Sequence, residues 1–491
     1  MNKLITLMFI ILFFINTIPL NSCSEEVLII NESEKINDIS VKVKLLSIRS
    51  LDEIDEFSDP DFQIKVYINN IEFTSDIWHN TRYIYNPDFS PTVDIPSDED
   101  FIDIKIQLWD YADEHNADRL CDISGDFSDS DDSYDVELIY NTKTGHWTGD
   151  DFRNSDLEGY DPSGYGRLNG CDDGTIYTID RDCELWFDIY QNDIDGDKIP
   201  DWMETNVYGT DPEVDNSGED IDEDGVPIEW EHRWGYDPLT ADNHAILDPE
   251  NDGINNVEEY LTSQWYSDPF RRDLFLELDF MGDSPEGEIS VMPESSKELM
   301  KNPFHKRNIV FNIDTGDING GEIIPFEEMT DQLTLLNYFE KYFIKDEKNE
   351  WIRGVFHYGI IVYKTIPAGY AFSGDVQPFW GYHAGTNCFV ISSSRMERND
   401  KFNLKNIDYF YASAIVHEMG HNFGLKNGNP PGVDVQLSKW PWQIGWWIYK
   451  DYESIMNYHY TYKILDYSDG SNGGKDFDDW SNIDLSYFEF Q

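Results

Sequence analysis

The chain has 491 residues, 97 of them acidic against 35 lysines and arginines, for a formal net charge of −62. A surface this acidic excludes nucleic acid as a partner, because its recognition needs basic patches. Hydrophobic residues at 40% and aromatics at 15% supply packed cores rather than a disordered polymer, and the length predicts two to four domains. Two uses fit the acid: a solvated surface suited to salt, and chelation of hard cations, chiefly Ca²⁺.

Met1-Asn2-Lys3 and the apolar run from Leu4 to Leu20 read as a secretory signal over residues 1–23. Leu20-Asn21-Ser22-Cys23 resembles a lipobox, whose cysteine is lipidated after cleavage; plain cleavage fits the same residues. Either route predicts a secreted chain, free or lipid-anchored at the cell surface. No later run of roughly 18 apolar residues predicts a membrane span. Outside the cell, two of Cys121, Cys171 and Cys183 could pair, and the sequence leaves open which two.

Residues 39–190 alternate in the manner of strands, as in Ile39–Ile48, Phe62–Ile68, Ile102–Trp109 and Leu185–Tyr190, with Asp, Asn, Gly and Pro clusters between them. A β-sandwich is expected. Ser58-Asp59-Pro60-Asp61, Asn86-Pro87-Asp88-Phe89 and the stretch Trp109-Asp110 to Asp118 resemble loops of a C2 domain. That resemblance implies calcium ligands at Asp59, Asp110 and Asp118, with Asp55 a looser candidate, and contact with a membrane or cell surface. The middle aspartate of the third loop falls on Ala112, with Asp113 beside it.

Residues 191–270 contain a repeat. Acids stand at positions 1, 3, 5 and 12 of three loops: Asp193, Asp195, Asp197 and Glu204; Asp220, Asp222, Asp224 and Glu231; Asp248, Glu250, Asp252 and Glu259. Asp201 is a further candidate in the first. Ca²⁺ takes six to eight hard oxygens, and a tight loop presents alternate side chains inward while a distant glutamate closes the shell. Glycine occupies position 6 as Gly225 and Gly253, but the first loop has Lys198 there. Each loop leads to an Asp-Pro turn, at 211–212, 237–238 and 268–269. The pattern resembles EF-hand loops and thrombospondin type 3 repeats, which implies a spacer stiffened by several structural Ca²⁺ ions.

Residues 271–491 mix strand patterns (Asp273–Phe280, Asn308–Asp314, Gly354–Val362, Cys388–Ser392) with helical ones (Ser295–Met300, Met329–Phe343, Asp408–Gly424), which predicts an α+β or α/β domain. The chain is therefore expected to be multidomain: sandwich, calcium-loop segment and α+β domain.

The strongest motif is His417-Glu418-Met419-Gly420-His421. On a helix, residues i and i+4 share a face, so both imidazoles reach one Zn²⁺ ion, with Glu418 beside its water as general base. Gly424 follows, and then Ser454-Ile455-Met456-Asn457-Tyr458. Together these resemble the metzincin zinc metalloproteases, a likeness that covers nearly half the chain. It implies a zincin fold, hydrolysis of a protein or peptide substrate, a Met-turn at Met456, Tyr458 stabilising the oxyanion, and an edge strand around Cys388–Ser392 that pairs with substrate. The third zinc ligand of that pattern falls on Asn427, a poor ligand as a neutral amide. Asn427 binding through its carbonyl oxygen, replacement by Asp434 or His459, and loss of activity are the three alternatives. The last would leave a calcium-dependent surface-binding protein with a silent site. His357 and His383 read as structural histidines, and Trp440–Tyr449 as a packed loop or a substrate-site wall.

Overall fold

The computed structural model describes residues 39–55, 58–111, 117–125, 134–150, 166–316, 320–345, 348, 350–372, 388–400 and 405–487. The expected signal and Cys23, with Ala112, Asp113 and His383, lie outside the described residues.

Eleven strands precede the repeat: β1 (Ile39–Ser50), β2 (Phe62–Ile68), β3 (Ile71–Thr74), β4 (Tyr83–Tyr85), β5 (Thr92–Ile95), β6 (Phe101–Asp110), β7 (Arg119–Leu120), β8 (Val136–Asn141), β9 (Trp147–Gly149), β10 (Gly166–Asn169) and β11 (Cys183–Gln191). They form two antiparallel sheets, β10-β11-β1-β4 with β5 on β1, and β3-β2-β6-β8-β9 with β7 on β6. Alternation explains the sandwich. Phe62, Ile64, Val66 and Ile68 are fully buried while the residues between them are partly exposed, so each strand turns one face to a shared core. Cys121, Cys171 and Cys183 are buried thiols in the structure, and no disulfide forms among the described residues.

The three acidic loops follow, with short helices Ile228–Trp234 and Asn256–Thr262 after the second and third. Asn255 caps the latter by a reciprocal capping box with Glu258.

The last region is built on a six-stranded sheet: β12 (Asp273–Met281), β13 (Val310–Asp314), β14 (Ile323–Ile324), β15 (Phe356–Val362), β16 (Gly369–Phe372) and β17 (Cys388–Ser392). Its order is β13-β12-β15-β17-β16, with β14 on β12. All its pairings are parallel except β16 on β17. Every residue of β12, β15 and β17 is buried, the continuous apolar pattern of strands covered on both faces. Helix Ile407–Asn422 packs on one face, and helix Gln332–Tyr338 with the turns after it on the other. The edge strand is thus β16. Cys388–Ser392, expected at the edge, lies between β15 and β16, because the antiparallel return through Gly369–Phe372 takes the outer place.

Candidate active site

Helix Ile407–Asn422 is buried almost throughout from Phe410 and sets His417 and His421 one turn apart, ring centroids 5.2 Å. Each ring is fixed from behind. His417 Nδ1 lies 2.9 Å from the Ile455 carbonyl and His421 Nδ1 2.6 Å from that of Leu425. Those bonds require N–H at Nδ1, which leaves Nε2 as the lone-pair nitrogen of both rings. Both Nε2 atoms face the carboxylate of Asp434, at 3.1 Å and 3.2 Å.

Three acceptors turned on one another need a cation between them. His417 Nε2 faces Oδ1 and His421 Nε2 faces Oδ2, and the ligand atoms of the three side chains lie within 4.8 Å of one another. His417, His421 and Asp434 therefore fit a zinc ion through two nitrogens and one oxygen. Without a metal the proton serves instead. Burial works to lower the His417 pKa, but Asp434 and Glu418 outweigh it and raise it to about 9. Burial likewise disfavours the Asp434 carboxylate, yet the two imidazoles hold its pKa far below the usual range.

Asn427 is exposed in the turn after the helix, outside this group. The chain passes it and comes back: Gly424 turns at φ +95, and Asp434, itself at φ 59, donates its N–H to the Met456 carbonyl. His459 accepts from Trp446 Nε1 at 2.9 Å, away from the imidazoles. His357 is fully buried and packs edge-on against Phe423.

The turn at Met456 packs against the helix. A Cβ on Gly420 would fall 2.4 Å from Met456 Sδ and 2.9 Å from the Tyr467 ring, so only glycine fits at the fourth residue of the motif. Glu418 is 7% exposed, and burial raises its pKa despite the two imidazoles. Strand β16 lies against it: a Cβ on Gly369 would stand 2.7 Å from Glu418 Oε1. Asn422 Nδ2 ties the helix to the Phe372 carbonyl of the same strand. Tyr458 stacks on His417, and burial with Asp434 keeps its hydroxyl protonated.

The acidic loops share one backbone. Positive φ recurs at positions 4 and 6 of each: Gly196 and Lys198, Glu223 and Gly225, Asn251 and Gly253. Lys198 adopts the left-handed conformation that glycine takes in the other two. Glu204, Glu231 and Glu259, all at position 12, are 0% exposed. Neither oxygen of Glu259, Asp222 or Glu250 has a hydrogen-bond partner. Buried carboxylates without donors are costly unless a cation meets them, so these residues fit Ca²⁺. Asp193, Asp195 and Asp197 converge, as do Asp220, Asp222 and Asp224. Asp201 accepts the Ile194 N–H within the first loop, and Asp248 accepts from Asp252 and Gly253 in the third. Sequence spacing missed His244. It lies beyond the second loop, fully buried, with Nε2 3.2 Å from Asp224 and 3.9 Å from Glu231.

The sandwich loops differ. Asp55 and Asp110 both close on the guanidinium of Arg119, which takes the place between them. Asp59 is exposed, with Arg82 4.0 Å away, and Asp118 is exposed as well.

No family model and no curated protein matches the chain. Among solved structures, a human GIVD cytosolic phospholipase A2 in complex with methyl γ-linolenyl fluorophosphonate is 13% identical, with a TM-score of 0.19, over 32% of this chain and 17% of that one. A C2 domain is 10% identical (TM-score 0.18, 31% of this chain, 98% of that). A C2 domain of plant extended synaptotagmin 1 is also 10% identical (TM-score 0.18, 31% and 95%). The chain thus spans a small part of the phospholipase it matches.

Proposed function

We propose that the chain is a secreted or surface-held zinc endopeptidase whose calcium-loaded loops rigidify the segment before its catalytic region. The observation that carries this reading is the pair of Nε2 lone pairs facing the Asp434 carboxylate beside the buried Glu418. Zinc held there would polarise a scissile carbonyl and acidify a water. Glu418 takes that water's proton and passes it to the leaving amine; its raised pKa suits a group that must hold a proton between the two steps. Tyr458, kept protonated, donates toward the developing oxyanion. The outer edge of β16, which pairs with no further strand among the described residues, lies against Glu418 and would offer backbone groups to an extended substrate. The rival reading, a silent surface-binding protein, drew its support from Asn427, and Asp434 supplies the ligand that Asn427 does not.

Glu418→Gln tests the reaction. With zinc and calcium present, casein hydrolysis should fall by roughly 10²–10⁴-fold or more while zinc content stays at one ion per chain. Hydrolysis retained by that variant would refute Glu418 as the base. Wild-type protein without zinc or cleavage, yet folded, would return the silent-site reading.

A further inference from the structure

We propose that the loop Leu437–Ile448 docks the protein on the interfacial region of a lipid bilayer that carries anionic headgroups. Six large apolar side chains within twelve residues stand in solvent: Leu437 at 57% exposure, Trp440 at 53%, Trp442 at 77%, Ile444 at 70%, Trp447 at 61% and Ile448 at 41%. Sequence alone reads Trp440–Tyr449 as a packed loop or a substrate-site wall; the structure turns Trp440, Trp442, Ile444, Trp447 and Ile448 outward. Contiguous exposed apolar surface of this kind marks an interaction site.

The loop is held in place rather than frayed. Ser438 is fully buried and bonded to Asn457 at 3.1 Å. Trp440 and Trp442 stack at 5.3 Å, and Trp447 Nε1 donates to the Pro441 carbonyl. Gly445 packs so closely on Leu437 that a Cβ would fall 2.6 Å from its carbonyl oxygen. The side chains are thus presented outward by a built support.

Charge selects the occupant. At the chain's average of 97 acids in 491 residues, a 16-residue window holds about three. Val435–Lys450 holds none, and it carries Lys439 and Lys450, the second paired with Asp451 just beyond it. Lys463 lies beside it, next to His459 and through it Trp446. A chain of net charge −62 is repelled by anionic headgroups as a whole, so a stretch low in acid and edged by lysines is a face that can approach them. Tryptophan, with an apolar body and an N–H donor, is the side chain that bilayer interfaces favour. Among the described residues no helix is long and apolar enough to cross a membrane.

The test uses full-length protein with Cys23→Ser, so that no acyl chain contributes. Unilamellar vesicles of phosphatidylcholine with phosphatidylglycerol are titrated, read by sedimentation and by tryptophan quenching from brominated lipid. Binding is expected, weaker on pure phosphatidylcholine, and Trp442→Ala with Ile444→Ser should weaken it tenfold or more at an unchanged melting temperature. Leu437→Ser, at the other end of the loop, serves if the pair fails to fold. No binding by the parent protein, or binding that these substitutions leave untouched, overturns the proposal. So does capture of a protein or polysaccharide through these residues without affinity for vesicles. None of these readouts depends on peptidase activity.

Discussion

At the scale of single residues, the candidate metal group joins a local motif to a distant carboxylate. His417, Glu418 and His421 are legible in sequence because one helical turn brings them together. Gly420 is legible only in hindsight, since its partner Met456 lies 36 positions away and fills the space a side chain would need. The sequence offers Asp434 only as one possible replacement beside His459, with nothing to choose between them. The place of Asp434 depends on the turn at Gly424 and on the bond from its N–H to Met456, neither of which leaves a spacing to count. Asp434 and Asn427 separate by experiment. Asp434→Ala should weaken zinc by about 100-fold or more, beyond the 10–100-fold typical of losing an outer partner. Asn427→Ala should leave affinity within about twofold, because Asn427 is exposed and outside the group. Competition against a zinc-binding dye measures both, and equal losses would show that Asp434 is not a ligand.

At the scale of elements, the repeat is legible as a count along the chain, with acids at positions 1, 3, 5 and 12 and positive φ at positions 4 and 6 of each loop. What the count could not give is how the third loop joins its neighbour. Asp252, at its fifth position, accepts the N–H of Asp273, the first residue of β12, at 2.6 Å. Glu250, Asp252, Glu259, Asp268 and Asp273 share this neighbourhood with Arg271, which pairs with Asp268 at 3.1 Å. Burial, then the neighbouring carboxylates, drives Glu259 well above its usual range. Calcium in this loop would relieve that repulsion and hold β12 in place. Removing calcium should therefore raise amide exchange across Asp273–Met281. Glu259→Gln should reproduce the effect with calcium present, whereas Glu231→Gln in the second loop should not. Hydrogen exchange read by mass spectrometry decides it. Calcium binding with no change in β12 exchange would sink the coupling alone, and no calcium binding would sink the loop assignment itself.

At the scale of the whole molecule, the sandwich and the last region meet through buried charge that no sequence pattern announces, since each residue comes from a different element. Arg49 on β1 reaches Glu298 at 2.6 Å and Glu184 at 3.4 Å, and Arg167 on β10 also pairs with Glu184. Helix Ser295–His305 brings Glu298 and His305 to this contact. His305 is held neutral by geometry: Nδ1–H donates to Glu184 Oε2 at 2.7 Å, and Nε2 accepts the Phe311 N–H at 3.2 Å. A proton at Nε2 would set two donors face to face. Burial, against the pull of Glu184, brings the pKa down from 6.5 to about 4. The unfolded chain thus takes up a proton below pH 6.5 that the folded chain refuses until about pH 4, so stability falls as pH drops through that window, by up to about 3 kcal/mol. Glu298 extends the loss. Burial works to raise it, but Arg49 and Lys301 hold it at about 2 instead of 4.5, and its contribution disappears between those values. Carboxylates raised by burial elsewhere, such as Asp182 at about 8, act in the opposite sense, so the measurement is a difference. The stability gap between wild type and His305→Gln, from denaturant unfolding in saturating calcium, should shrink as pH falls from about 7 to about 4. A gap that stays constant would mean that His305 titrates alike in both states and that the two regions are not joined through a neutral imidazole.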